Sequence, residues 1–104
     1  MKITIVVPVY NEEKNSGKFL QKLTKTKYEV VVVDDGSKDK TPEIAGEFRV
    51  HYLGHIVNLG KGAAMKTGAD YAFENGADWV IFMDGDGQHA VDDPEVAAEV
   101  QVSA

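Results

Sequence analysis

Cysteine is absent from the chain, which removes disulfides, thiolate nucleophiles and cysteine-based zinc sites together. Only three histidines are present, at positions 51, 55 and 89, too few and too scattered for a histidine-rich metal centre. No apolar run approaches the roughly 18 residues that a membrane-spanning helix needs. The opening Met-Lys-Ile-Thr-Ile-Val-Val-Pro also lacks the plan of a signal peptide, so the expected location is cytoplasmic. Basic charge is scarce: 11 Lys and Arg against 17 Asp and Glu leave a net charge of −6 and no basic face for nucleic acid. An anionic ligand would need a bound cation or backbone donors.

What is there is enough for one globular domain, residues 1–104, with 43% apolar residues. Residues 2–10, 28–33 and 79–83 are short, strongly apolar runs, as expected of strands covered on both faces. Residues 49–53 form a weaker fourth run. Pro8 cannot donate to a ladder, so pairing on its side should stop there. Between the strands, Phe19, Leu20 and Leu23 mark one helix, with Asn15 or Ser16 as its cap. Thr41-Pro42-Glu43 opens a second helix, capped by Thr41 and running to about residue 48. A third opens within Asn58-Leu59-Gly60-Lys61-Gly62-Ala63-Ala64 and stops at Asn75-Gly76; Ala64, Gly68 and Ala69 let it lie close to a sheet. A short helical tail is expected over residues 96–100. The order β-α-β-α-β-α-β predicts a three-layer α/β/α sandwich with a mostly parallel four-stranded, Rossmann-like sheet.

Chemistry gathers where these strands end. The second strand ends in Asp34-Asp35-Gly36-Ser37 and the last in Asp84-Gly85-Asp86-Gly87-Gln88-His89. Ligands of open α/β sheets bind at that edge. Asp84, Asp86 and Gln88 offer only oxygen, which selects a hard cation such as Mg²⁺ or Mn²⁺. Taken alone, Asp-Gly-Asp-Gly also reads as a polar turn, and Asp34 or Asp35 as a turn cap. Tyr10 also reads as a strand-end aromatic and Lys61 as a solvated helix start. His51 and His55 read as ordinary strand-edge residues, and Trp79 as core.

Together with Pro8-Val9-Tyr10-Asn11-Glu12-Glu13, these motifs follow one another in an order that resembles the GT-A glycosyltransferases. More narrowly, the chain is similar to glycosyltransferase family 2, in the branch of dolichyl-phosphate mannose and glucose synthases. The resemblance implies that Pro8, Tyr10 and Glu12 contact the base and ribose of a sugar nucleotide. It implies further that Asp34 and Asp35 hold the base, that Lys61 lies along the donor pocket, and that Asp84 and Asp86 form a DxD motif. That motif holds Mg²⁺ or Mn²⁺ against the diphosphate, with Gln88 as a further metal contact. The implied activity is inverting transfer of a hexose from a UDP- or GDP-sugar to a polyprenyl phosphate or glycan. Peripheral contact with a membrane fits such an acceptor.

The chain departs from that branch after His89, where Ala90-Val91-Asp92-Asp93 precedes Pro94, and at Gly87, which replaces a bulkier residue. Family members are longer, and their second half carries the acceptor site and, in many, an Asp general base. Donor binding is therefore expected of this chain, with no general base assigned within it. Two alternatives stand beside this expectation. One is a non-catalytic nucleotide-sugar-binding module that needs a partner chain or a second copy of itself. The other is a receiver-like domain, disfavoured because its acid pair should follow the first strand.

Overall fold

The computed structural model describes residues 1–84 and the strand Glu99–Val102. Among the described residues the elements are, in chain order, β1 (Ile3–Val9), α1 (Ser16–Leu23), β2 (Glu29–Asp34), α2 (Thr41–Ala45), β3 (His51–Gly54), α3 (Lys61–Glu74), β4 (Trp79–Phe82) and β5 (Glu99–Val102). The sheet order is β3-β2-β1-β4-β5. Strands β1 to β4 are parallel, with Val6 opposite both Val31 and Phe82.

Strand alternation sorts the apolar residues onto two faces. Ile5, Val7, Val30, Val32 and Ile81 point to one side, where Phe19, Leu20 and Leu23 of α1 and Ala45 of α2 cover them. Val6, Val31, Val33 and Val80 point to the other, against Ala64 and Ala72 of α3. Burial on both faces is what unbroken β-branched runs require, and it makes three layers. Helix α3 comes closest at Gly68, where a Cβ would collide with Val6 Cγ1 and lie 2.9 Å from Val33 Cγ2.

Several expectations need correction. Residues 96–98 lie outside the described residues, but the helical tail expected over residues 96–100 is overturned at its last two positions, because Glu99–Val102 is a strand antiparallel to β4, with Val100 opposite Ile81. Its Glu-Val-Gln-Val alternates with the strand period, and the edge of β4 offered an unpaired ladder. This strand adds an antiparallel fifth to the four parallel strands that the sequence led us to expect. Thr41 does not cap α2; Lys40 holds that position and the Thr41 hydroxyl is used elsewhere. Helix α2 ends at Ala45, and turns closed by Glu47 N to Ile44 O and Phe48 N to Ala45 O carry the chain on to Phe48. Trp79 is half-buried rather than core. Among the described residues, no helix is long and apolar enough to cross a membrane.

The strand order places a switch point between β1 and β4. Val6 O accepts from Met83 N (3.1 Å) on the β4 side, and Val9 O accepts from Asp35 N (2.9 Å) on the β2 side. By alternation the nitrogen of Pro8 faces β4. Pairing with β4 accordingly ends at Val6, whereas pairing with β2 runs to Val9, as the missing donor predicts. The strands part there, and a crevice opens.

Candidate functional site

Two loops at this edge are tied together by hydrogen bonds from backbone amides to side-chain oxygens. Asn11 has a φ of 51°, the left-handed region that Asn tolerates. In that conformation its amide donates to Ser37 Oγ (2.8 Å), while its Oδ1 accepts from Lys38 N (2.9 Å). The amide of Glu12 donates to Thr41 Oγ1 (2.9 Å), and that hydroxyl donates to Asp39 Oδ1 (2.6 Å). Asp39 Oδ1 also accepts from Thr41 N, and its Oδ2 from Glu13 N. Burial alone raises the Asp39 carboxyl, but these hydrogen bonds outweigh it and hold the group below the usual aspartate range. The loop that follows β1 is thus fixed by the one that follows β2.

The acid pair divides its work. Asp34, only 1% exposed, accepts from Ser37 N (2.8 Å) and from the Tyr52 hydroxyl (3.0 Å), which closes the turn behind the crevice. Burial, and then this bond to Asp34, push the Tyr52 phenol up to about 12. Asp35 faces forward. Its Oδ1 accepts from His55 Nδ1 (2.8 Å) and Leu59 N (2.9 Å), and its Oδ2 from Gly60 N (2.8 Å). Burial raises the Asp35 carboxyl, yet the donors from His55, Leu59 and Gly60 prevail and keep it ionised below the ordinary range. Gly36, with φ 79°, completes the turn: a Cβ there would lie 2.7 Å from Val57 C and 2.8 Å from Asn58 N. The segment leading into α3 passes directly over this glycine, so no side chain fits between them.

These pieces enclose a cleft of about 440 Å³, lined by Pro8, Val9, Tyr10, Glu12, Asp35, Asn58, Gly60, Lys61, Ala64 and Asp84. Pro8, Tyr10, Glu12, Asp35, Lys61 and Asp84 were all expected at a ligand site and are brought together here. Asp34 is not among the lining residues. Asp86, Gln88 and His89 lie outside the described residues. Lys61 Nζ reaches Asp84 Oδ1 at 2.6 Å across the mouth, between side chains 63% and 36% exposed. Among the lining residues the potential cation ligands are oxygens alone, with no thiolate or imidazole. Oxygen donors are the kind a hard cation takes, and among the described residues no group of three or more His, Asp or Glu side chains is placed to hold one.

His55 belongs to the site although strand-edge composition made it look ordinary. Its signal was positional: it follows β3 at the same sheet edge as Asp34 and Asp84. Asn58 stands in the stretch through Ala64 that belongs to the resembling set of motifs, but no role was expected of it.

Known proteins are similar to this chain. An uncharacterized protein of Methanocaldococcus jannaschii is 47% identical over 94 residues, covering 89% of this chain and 39% of that protein. A UDP-N-acetylglucosamine–dolichyl-phosphate N-acetylglucosaminyltransferase of Methanococcus voltae is 37% identical over 109 residues, covering 88% and 43%. Among solved structures, S. aureus TarS 1–349 in complex with UDP superposes with a TM-score of 0.73 at 31% identity, covering 83% of this chain and 28% of that one. The chain thus spans less than half the length of each of these three proteins. The sequence model of glycosyl transferase family 2 matches residues 4–101. Since that match reaches from β1 to β5 and takes in the whole cleft, the chain belongs to glycosyl transferase family 2.

Proposed function

We propose that this chain is the donor-binding part of a metal-dependent, inverting glycosyltransferase. The enzyme transfers a hexose from a UDP- or GDP-sugar to a polyprenyl phosphate or glycan at the cytoplasmic face of a membrane. The supporting observation is the convergence of Pro8, Tyr10, Glu12, Asp35, Lys61 and Asp84 on one cleft at the switch point. The M. voltae relative, named for a UDP-sugar and a dolichyl phosphate, and the UDP complex of TarS favour the same ligand classes.

In this reading Tyr10 and the backbone after Pro8 flank the base and ribose, and Asp35 accepts from a base N–H with the lone-pair capacity its present donors leave. Lys61 faces the diphosphate. Its ion pair with Asp84 is solvent-exposed and is worth at most about 1 kcal/mol, so the two charges separate readily toward a ligand. Asp84, with Asp86 and Gln88, is assigned to Mg²⁺ or Mn²⁺. Bound there, the cation would neutralise charge on the departing nucleoside diphosphate as a Lewis acid. The acceptor oxygen forms its bond to the anomeric carbon from the face opposite the diphosphate, whose bond to that carbon breaks in the same displacement. An acceptor phosphate is already anionic near neutral pH and needs no general base.

Calorimetric titration of UDP, GDP and their sugar conjugates, with and without Mn²⁺, tests this reading. Metal-dependent binding that Asp84→Asn and Asp86→Ala each weaken at least tenfold is expected. A folded chain that binds none of these ligands would overturn it.

A further inference from the structure

The segment 55–60 that walls the cleft has no apolar anchor. Ile56 is 100% exposed, and Val57 and Leu59 are each 59% exposed, so burial does not hold this backbone in place. Its described backbone amide donors go to Asp34 and Asp35 at the end of β2, and Gly60 O accepts from Ala64 N (3.1 Å) in α3. The amide of His55 donates to Asp34 O (2.8 Å), and those of Leu59 and Gly60 donate to the Asp35 carboxylate. An aspartate side chain has two rotatable bonds, so the clamp is only as firm as the carboxylate itself. What fixes the carboxylate is His55, whose side chain is 11% exposed. Its Nδ1 meets Asp35 Oδ1 at 2.8 Å and its Nε2 meets Thr67 Oγ1 at 2.9 Å. A carboxylate only accepts, so Nδ1 carries a proton. Thr67 adjoins Gly68, the residue at which α3 presses onto the sheet.

We infer that His55 is a positioning residue for the ligand cleft: held by Thr67 on α3, it orients Asp35, which in turn fixes the Leu59 and Gly60 backbone. This deepens the donor-site reading and rests on it for the ligand, a nucleoside diphosphate. It adds a residue that sets affinity without touching that ligand. The chain of contacts runs from the rigid interface of α3 with the sheet, through an imidazole and a carboxylate, to a loop with no core of its own.

Two near-isosteric replacements separate the halves of the contact. Asn places an amide donor near the position of Nδ1 and gives up Thr67, whereas Gln reaches toward Thr67 and gives up the donor to Asp35. The measurements are amide hydrogen exchange by NMR and calorimetric affinity for UDP and GDP with Mn²⁺. In His55→Gln, Leu59 and Gly60 should exchange about tenfold faster or more, the scale of losing one hydrogen bond to a charged group, while Val31 and Val32 in the core stay unchanged. Nucleotide affinity should fall by a similar factor, and His55→Asn should recover most of both. Thr67→Val, which keeps Asp35 and its imidazole partner, should shift both in the same direction by less, and serves as the decisive variant if His55→Gln does not fold. Uniform acceleration across loop and core, unchanged exchange at Leu59 and Gly60, or equal impairment in the Asn and Gln variants would each overturn the inference. If the wild-type chain binds neither nucleotide, the donor-site reading fails and exchange at Leu59 and Gly60 alone decides the role of His55.

Discussion

At the scale of single residues, Gly36 makes a sharp test. Gly36→Ala forces a side chain into the left-handed region, which costs about 1–2 kcal/mol, and drives its Cβ against the backbone of Val57 and Asn58. Urea unfolding should register a loss above that strain alone, and nucleotide affinity should fall with it because the cleft wall moves. Asp35 carries a pH signature. Its folded-state pKa lies below the unfolded value, so its contribution is fully present above about pH 4 and disappears as pH falls through the folded value. Asp35→Asn should therefore lower stability at pH 7 and flatten its decline in acid, as read from denaturant midpoints between pH 2 and 7. The residue types at the site were legible, since Pro8, Asp35 and Asp84 stand at strand ends that composition locates. The partition between Asp34 and Asp35 was not. Adjacent residues at a strand end point to opposite sides, and it is the partners of each, Tyr52 and Ser37 for Asp34 and His55, Leu59 and Gly60 for Asp35, that divide the two acids.

At the scale of elements, α3 carries the clearest contrast. Gly68→Ala gains at most about 1 kcal/mol of helix propensity but overpacks Val6 and Val33 at a cost of roughly 1–3 kcal/mol, so net destabilisation is expected. Gly62→Ala meets nothing within 4 Å and should stabilise the same helix by about 0.5–1 kcal/mol. Opposite shifts of the two unfolding midpoints would check both. Strands β1, β2 and β4 were readable because runs buried on both faces leave no alternation to misjudge. Two details were not readable, because tertiary partners decided them. Thr41 carries good capping chemistry, yet the unpaired amide of Glu12 and the carboxylate of Asp39 claim its hydroxyl. Residues 99–102 are too short to choose a structure alone, and the open edge of β4 made the choice for them.

At the scale of the whole molecule, the parallel sheet gives the two rims different duties. The amino-terminal rim has its own ion cluster, in which Glu29 pairs with Lys2 (2.8 Å) and with His51 (3.0 Å), and the Tyr71 hydroxyl meets His51 Nδ1 at 3.3 Å. Hydrogen bonds from Lys2 and His51 hold the Glu29 carboxyl below its ordinary range. These side chains are nearly half exposed and screened by water, so Glu29→Gln should change stability by less than about 1 kcal/mol and leave nucleotide affinity unchanged. Because β1 to β4 all run the same way, every connection from a strand to the next helix falls at the cleft, and every connection from a helix back to a strand falls at the far rim. A reporter domain spliced between Lys25 and Lys27, in the turn that joins α1 to β2, would thus sit a full strand length from the cleft. It would make the chain a sensor scaffold whose ligand site and attachment point are separated by direction of travel alone.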